Sequence, residues 1–105
     1  MSADQKYGLI GKMIALPGKR DELSKILVEG VAGGMPGCLS YVVAADSASE
    51  DALWITEVWE SQEKHRESLE LESVQRTIAR GRPLIAGFGE RFETHPRGGF
   101  GLVAG

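Results

Sequence analysis

The feature that constrains this chain most is a strand that runs directly into a helix, over residues 52–66. Residues 52–59, ALWITEVW, are rich in aromatic and β-branched residues, which is typical of a β-strand. Glu60 and Ser61 interrupt that pattern, and the residues that follow are charged and favour a helix with Ser61 as its N-cap. This junction contains both Trp residues of the chain and one of its two His residues.

Side chains alternate across a strand, so residues 52–59 present two faces, and both are largely apolar. The faces carry Leu53, Ile55, Glu57 and Trp59 on one side and Trp54, Thr56 and Val58 on the other. A strand of this kind is covered on both sides. Glu57 is the exception, because a buried carboxylate needs a hydrogen-bond or charge partner. Its face is therefore the first place to look for a functional site.

Periodicity and turn residues predict the other elements. They are a strand over 6–15, an amphipathic helix over 19–33, a strand over 38–46, a helix over 61–79 with a break near 70–72, and a strand over 87–94 in which Phe88, Glu90 and Phe92 alternate. The order β-α-β-β-α-β is that of a ferredoxin-like α+β fold, an antiparallel sheet with both helices on one face. We expect one domain over residues 1–105, with its core at 6–94 and a Gly-rich tail at 95–105.

Composition excludes several classes of function. The net charge is −3 with no basic block, which argues against nucleic acid as a partner. The longest apolar stretch is interrupted by Lys12, so we expect no membrane segment. The single Cys38 fits a reducing compartment and predicts a cytoplasmic protein. With His65 and His95 it shows no metal-ligand spacing, so no metal site is predicted.

The strands present apolar residues on both faces, whereas the predicted helices cover only one. The uncovered face would carry Ile10, Ile14, Trp54 and Val58. Because large exposed apolar patches mark interfaces and symmetric pairs are the commonest oligomers, we expect a homodimer formed through this face.

Several short motifs in this topology carry a resemblance to a known family. They are Pro17-Gly18 before the first helix, Pro36-Gly37-Cys38 before the second strand, Glu57-x-Trp59-x-Ser61-x-Glu63 at the strand-to-helix junction and Arg82-Pro83-Leu84 before the last strand. Over about residues 6–94 the chain resembles the antibiotic biosynthesis monooxygenases, small dimeric α+β barrel proteins. The resemblance implies a pocket between the helices and the sheet. It also implies oxidation of a small phenolic, quinol or polyketide-like substrate by O₂, without a cofactor.

On this resemblance His65 is the candidate catalytic base and Trp59 a catalytic N–H donor. The predicted substrate-binding residues are Glu57, Tyr41, Met13, Leu9 and Ile55. A more ordinary interpretation stands beside several of these. Trp59 is then a core residue, Glu57 a structural carboxylate and His65 a solvent-facing side chain. Tyr41 can lie on either face of its strand.

The chain also departs from the family pattern. Ser68 and Ser73 stand where relatives often carry His, and Gly11 stands where haem-degrading relatives carry Asn, so haem degradation is not expected. Fold and function are separable. Two alternatives therefore stay open on the same scaffold: a non-redox isomerase or lyase, and a small-molecule-binding dimer without turnover.

Overall fold

The computed structural model describes residues 5–102, which form four strands and three α-helices. In chain order they are β1 (Tyr7–Ala15), α1 (Arg20–Val31), β2 (Cys38–Ala45), β3 (Ala52–Trp59), α2 (Gln62–Ser68), α3 (Glu72–Gly81) and β4 (Ile85–Thr94). A single 3₁₀ turn, Arg82–Leu84, leads into β4. The part of the tail prediction that concerns residues 103–105 lies outside the described residues.

The four strands form one antiparallel sheet in the order β2-β3-β1-β4. The ferredoxin-like α+β fold predicted from the sequence is therefore confirmed. Strands β1 and β3 occupy the centre, and their register pairs Leu9 with Glu57, Gly11 with Ile55 and Met13 with Leu53. Directly opposed residues share a face, so the odd-numbered residues of these two strands face one side together.

The helices pack on the face that carries these odd-numbered residues. Leu23 and Leu27 of α1 are buried against Leu53 and Ile55 of β3, as the amphipathic pattern of α1 predicts. A second buried cluster joins Tyr7, Leu9 and Trp59 near the other end of the sheet. Trp59 is only 1% exposed and is therefore a core residue, whether or not it also has a role in a site.

The second helical region follows its predicted outline, including the break. Ser61 caps α2, because its hydroxyl oxygen accepts a hydrogen bond from the backbone N–H of Lys64 at 3.2 Å. The chain leaves α2 at Leu69 and takes an extended conformation at Leu71 before α3 begins. The region predicted as one helix with a break near 70–72 is therefore two helices.

Strand β4 departs from the simple alternation expected of Phe88, Glu90 and Phe92. The register shifts between Gly11 and Met13, so that Phe88 lies opposite Met13 whereas Phe92 lies opposite Ile10. The two Phe residues consequently occupy opposite faces of the sheet. The physical reason is a β-bulge, which adds a residue to one strand and changes its parity.

The face without helices carries the apolar residues predicted for it. Ile10 and Ile14 of β1 lie beside Val58 and Trp54 of β3, and Val42 and Phe92 extend the apolar surface to both edges. Val42 is 51% exposed and Phe92 is 52% exposed. None of the helices that the structure describes is long and apolar enough to cross a membrane.

Candidate functional site

The candidate site begins with three neighbouring residues on the helix-covered face of the sheet. The register places Tyr41 of β2 opposite Glu57 of β3, and Glu57 opposite Leu9 of β1. Tyr41 therefore lies on the helix side of the sheet. The pairing settles a question that the sequence left open.

A cleft lies on this face of the sheet and has three adjoining branches, two of them between the sheet and the helices and one walled by strand residues alone. We call them the inner branch (about 160 Å³, walled by Trp59, His65 and Met35), the strand branch (about 250 Å³, walled by Leu9, Gly11, Ile55 and Arg91) and the outer branch (about 470 Å³, walled by Leu23, Ile78 and Ile85). Met13 lines all three branches. Tyr41 and Glu57 line both the inner and the strand branch, so these two residues stand where the branches meet.

Glu57 is held by its neighbour on the same strand face. The indole N–H of Trp59 donates a hydrogen bond to Glu57 Oε1 at 2.9 Å. Burial raises the pKa of the Glu57 carboxyl, while this hydrogen bond and the nearby Arg91 act in the opposite direction. The result is a partly buried carboxylate at the cleft that takes up a proton more readily than an ordinary Glu.

His65 reaches the same cleft from α2. Its ring lies between two aromatic rings, with centroids 5.5 Å from Tyr7 and 5.4 Å from Trp59, the latter edge to face. His65 Nε2 is 4.0 Å from Glu57 Oε1, and each of these two side chains is 17% exposed. At that distance the groups do not form a direct hydrogen bond. Burial is the main cause that lowers the pKa of His65, with Arg91 and Arg66 adding to it, so its imidazole is neutral at pH 7.

Three residues of this neighbourhood were not predicted from the sequence: Tyr7, Arg91 and Glu93. The Tyr7 hydroxyl donates a hydrogen bond to Glu93, which ties β4 to β1 at the His65 end of the sheet. Arg91 lies opposite Gly11 and lowers the pKa values of both Glu57 and His65. The bulge in β4 places Arg91 and Glu93 on the face of the sheet that the helices cover. The only feature of the sequence that indicates this bulge is the pair of glycines within β4, Gly87 and Gly89.

All seven residues predicted for the site line the cleft. The inner branch brings together His65, Trp59, Glu57, Tyr41 and Met13, and the strand branch adds Leu9 and Ile55. Their roles in binding or catalysis stay predictions. Within residues 5–102 no group of three or more His, Cys, Asp or Glu side chains is placed to hold a metal ion.

Comparison with known proteins agrees with this arrangement. The family model described as antibiotic biosynthesis monooxygenase matches residues 7–80. A solved structure from Chloroflexus aurantiacus, assigned as an antibiotic biosynthesis monooxygenase, is 63% identical, with a TM-score of 0.88 over 93% of this chain and 99% of that one. A search of curated proteins found no match.

More distant structures share the fold. A protein from Caulobacter crescentus with the same assignment is 18% identical, with a TM-score of 0.81 over 90% of this chain and 92% of that one. Another from Deinococcus radiodurans is 20% identical, with a TM-score of 0.74 over 93% of this chain and 99% of that one. The family match and the 63% identical relative together identify the chain, which belongs to the antibiotic biosynthesis monooxygenase family.

Proposed function

We propose that this protein is a cofactor-independent monooxygenase that oxidises a small phenol with O₂. The observation that carries the proposal is the pair formed by Glu57 and His65. These two proton acceptors face each other across 4.0 Å at the wall of a largely apolar cleft. The family assignment supports the same class of reaction.

The first step is removal of the phenolic proton. His65 is the base in this proposal, because burial keeps its imidazole neutral and therefore able to accept a proton near pH 7. Glu57 orients the hydroxyl from the other side. The positive charge of Arg91, which lowers the pKa values of both residues, also favours the phenolate over the phenol.

The second step is oxidation of the phenolate. One electron passes to O₂, and the phenoxyl radical and superoxide form a C–O bond at the ring carbon opposite the hydroxyl. That carbon loses its hydrogen as a proton while the O–O bond breaks, which leaves a quinone carbonyl and releases the other oxygen as water. The ring loses four electrons, O₂ accepts four, and both protons end in water. The balance closes without a further oxidant or reductant.

The residues that line the cleft support this chemistry, in addition to the proposed base His65. Met13, Leu9 and Ile55 line the site with apolar side chains, which limit the contact of the anion and the radical pair with water. Tyr41 adds a hydroxyl at the junction of the two branches, and burial raises the pKa of that hydroxyl, so it stays protonated and can donate a hydrogen bond.

We also propose that the protein works as a homodimer through the helix-free face of the sheet. Ile10, Val42, Val58 and Phe92 form an apolar surface there that a monomer would leave in water. The cleft lies on the opposite face of the same sheet, so dimerisation through this surface leaves the cleft accessible.

The proposed function is tested by turnover with and without oxygen. A panel of phenols with a free ring C–H opposite the hydroxyl is incubated with the protein under air, under nitrogen and under ¹⁸O₂, and the products are analysed by mass spectrometry. We expect turnover only with O₂, one ¹⁸O atom in each quinone formed, and one O₂ consumed per product. Equal turnover under nitrogen would identify a non-redox isomerase or lyase instead. Binding without turnover would identify a binding protein.

A further inference from the structure

Gly11 occupies an unusual position in the middle of β1. This strand is central in the sheet, and Gly11 pairs with Ile55 on one side and Arg91 on the other. Glycine weakens a strand interior, because it loses more conformational freedom on folding and contributes no side chain to packing. A glycine at this place therefore calls for a structural reason.

Neither the backbone angles of Gly11 nor its packing supplies that reason, and the bulge that begins beside it adds its extra residue to β4 rather than to β1. Among the described residues with positive φ, Gly11 does not appear, so its conformation is open to any residue. A Cβ atom added to Gly11 would meet no heavy atom within 4 Å. Two other glycines of the sheet differ: a Cβ would lie 2.2 Å from Thr94 Oγ1 at Gly8 and 2.8 Å from Lys12 Cδ at Gly89.

What Gly11 leaves is space in the cleft. The strand branch, about 250 Å³, opens above it between Leu9 and Met13, with Ile55 and Arg91 across the neighbouring strands. An apolar cavity of about 150 Å³ holds a benzene molecule. The strand branch therefore has room for one aromatic ring and small substituents.

The charged and polar residues around the strand branch are suited to binding a phenol. Glu57 and Tyr41 line the branch on the side where it joins the inner branch and His65, whereas Arg91 lines it at the β4 side. A guanidinium group stacks favourably on an aromatic face and attracts a phenolate. Glu90 also lines the strand branch. Its Oε1 atom is 4.0 Å from Lys12 Nζ, and the positive charge of Lys12 offsets part of the negative charge of Glu90.

We propose that Gly11 is the specificity-determining residue of the cleft. Its missing side chain admits the aromatic ring of a phenol to the strand branch, with the hydroxyl at Glu57 and the ring beside Arg91. The inference rests on the proposed function and narrows its substrates to phenols with one ring above β1. A side chain at position 11 would occupy that ring's place.

The test is a size series at position 11, measured by binding so that it does not depend on turnover. Gly11→Ala, Gly11→Val and Gly11→Leu are titrated under nitrogen with phenol and with 4-methylphenol by isothermal titration calorimetry. We expect Kd to rise with side-chain size, a few-fold for Ala and more than tenfold for Leu. Gly33→Ala is the matched control, because Gly33 also has no neighbour within 4 Å of an added Cβ but lies outside the cleft.

Urea unfolding of each variant separates loss of the site from loss of the fold. We expect Gly11→Val to be at least as stable as the wild-type protein while its binding is weakened, since nothing clashes and a β-branched residue favours a strand. Wild-type Kd values in Gly11→Leu would overturn the proposal, and so would a wild-type protein that binds neither probe. Graded binding without O₂ consumption would support the ring site and contradict the monooxygenase function.

Discussion

Trp59 donates its indole N–H to the carboxylate of Glu57, its neighbour two residues earlier on the same face of β3. The bond joins the most buried aromatic residue of the chain to the carboxylate that lines the cleft. A core residue thus fixes the orientation of a site residue. The structural and functional interpretations of Trp59 are compatible, since the same side chain packs the core and positions Glu57.

Replacing Trp59 by Phe should destabilise the protein by about 1–3 kcal/mol, because the partly buried Glu57 loses its hydrogen-bond donor. Trp59→Ala should cost about 3–5 kcal/mol, because a large aromatic side chain is also lost from the core. Urea unfolding measures both. A loss well below about 1 kcal/mol in Trp59→Phe would contradict the argument.

Glu57→Gln should change how stability depends on pH. Burial raises the pKa of Glu57 in the folded state above its ordinary value of 4.5, so the folded protein binds the proton more tightly than the unfolded chain. Its contribution to stability is therefore favourable at low pH and is lost as pH rises from about 4.5 through the raised pKa. As pH rises from about 4.5 through the raised pKa, the wild-type free energy of unfolding should fall relative to that of Glu57→Gln. Parallel pH profiles would show that Glu57 titrates normally.

His65→Ala should lower kcat for a confirmed phenolic substrate by about 100-fold or more while the fold is retained, since general bases contribute factors of that size. The pKa of His65 is lowered below 6.5, so kcat/KM of the wild-type enzyme should fall only as pH drops below that value and through the lowered pKa. His95→Ala is the control, because His95 is exposed and contacts the backbone of Lys6 outside the cleft. Wild-type activity in His65→Ala would place the base elsewhere.

The protein should be a dimer of twice the 11.3 kDa chain mass when measured by light scattering at micromolar concentration. Val58→Asp should dissociate or unfold it, because an unpaired charge would lie in the apolar seam. Val28→Asp serves as the comparison, because Val28 is half exposed on α1, away from the proposed seam. This variant should remain dimeric. A wild-type particle of monomer mass would contradict the proposed interface.

Local sequence patterns determined much of this molecule. The alternation in residues 52–59 predicts that Glu57 and Trp59 share the helix-covered face, and Ser61 marks the start of α2 as an N-cap. These features follow from the two-residue period of a strand and from hydrogen bonds between near neighbours, so they can be read without knowing the rest of the fold.

Tertiary structure alone decided how distant residues meet. The strand register placed Tyr41 opposite Glu57, the bulge in β4 turned Arg91 toward the cleft, and the packing of α2 brought His65 to within 4.0 Å of Glu57. Each contact depends on pairing between segments that are separate in sequence, and a shift of one residue in register would move a side chain to the other face. No local pattern encodes such pairings, which is why the places of Arg91 and Tyr7 beside the site became visible only in the folded chain.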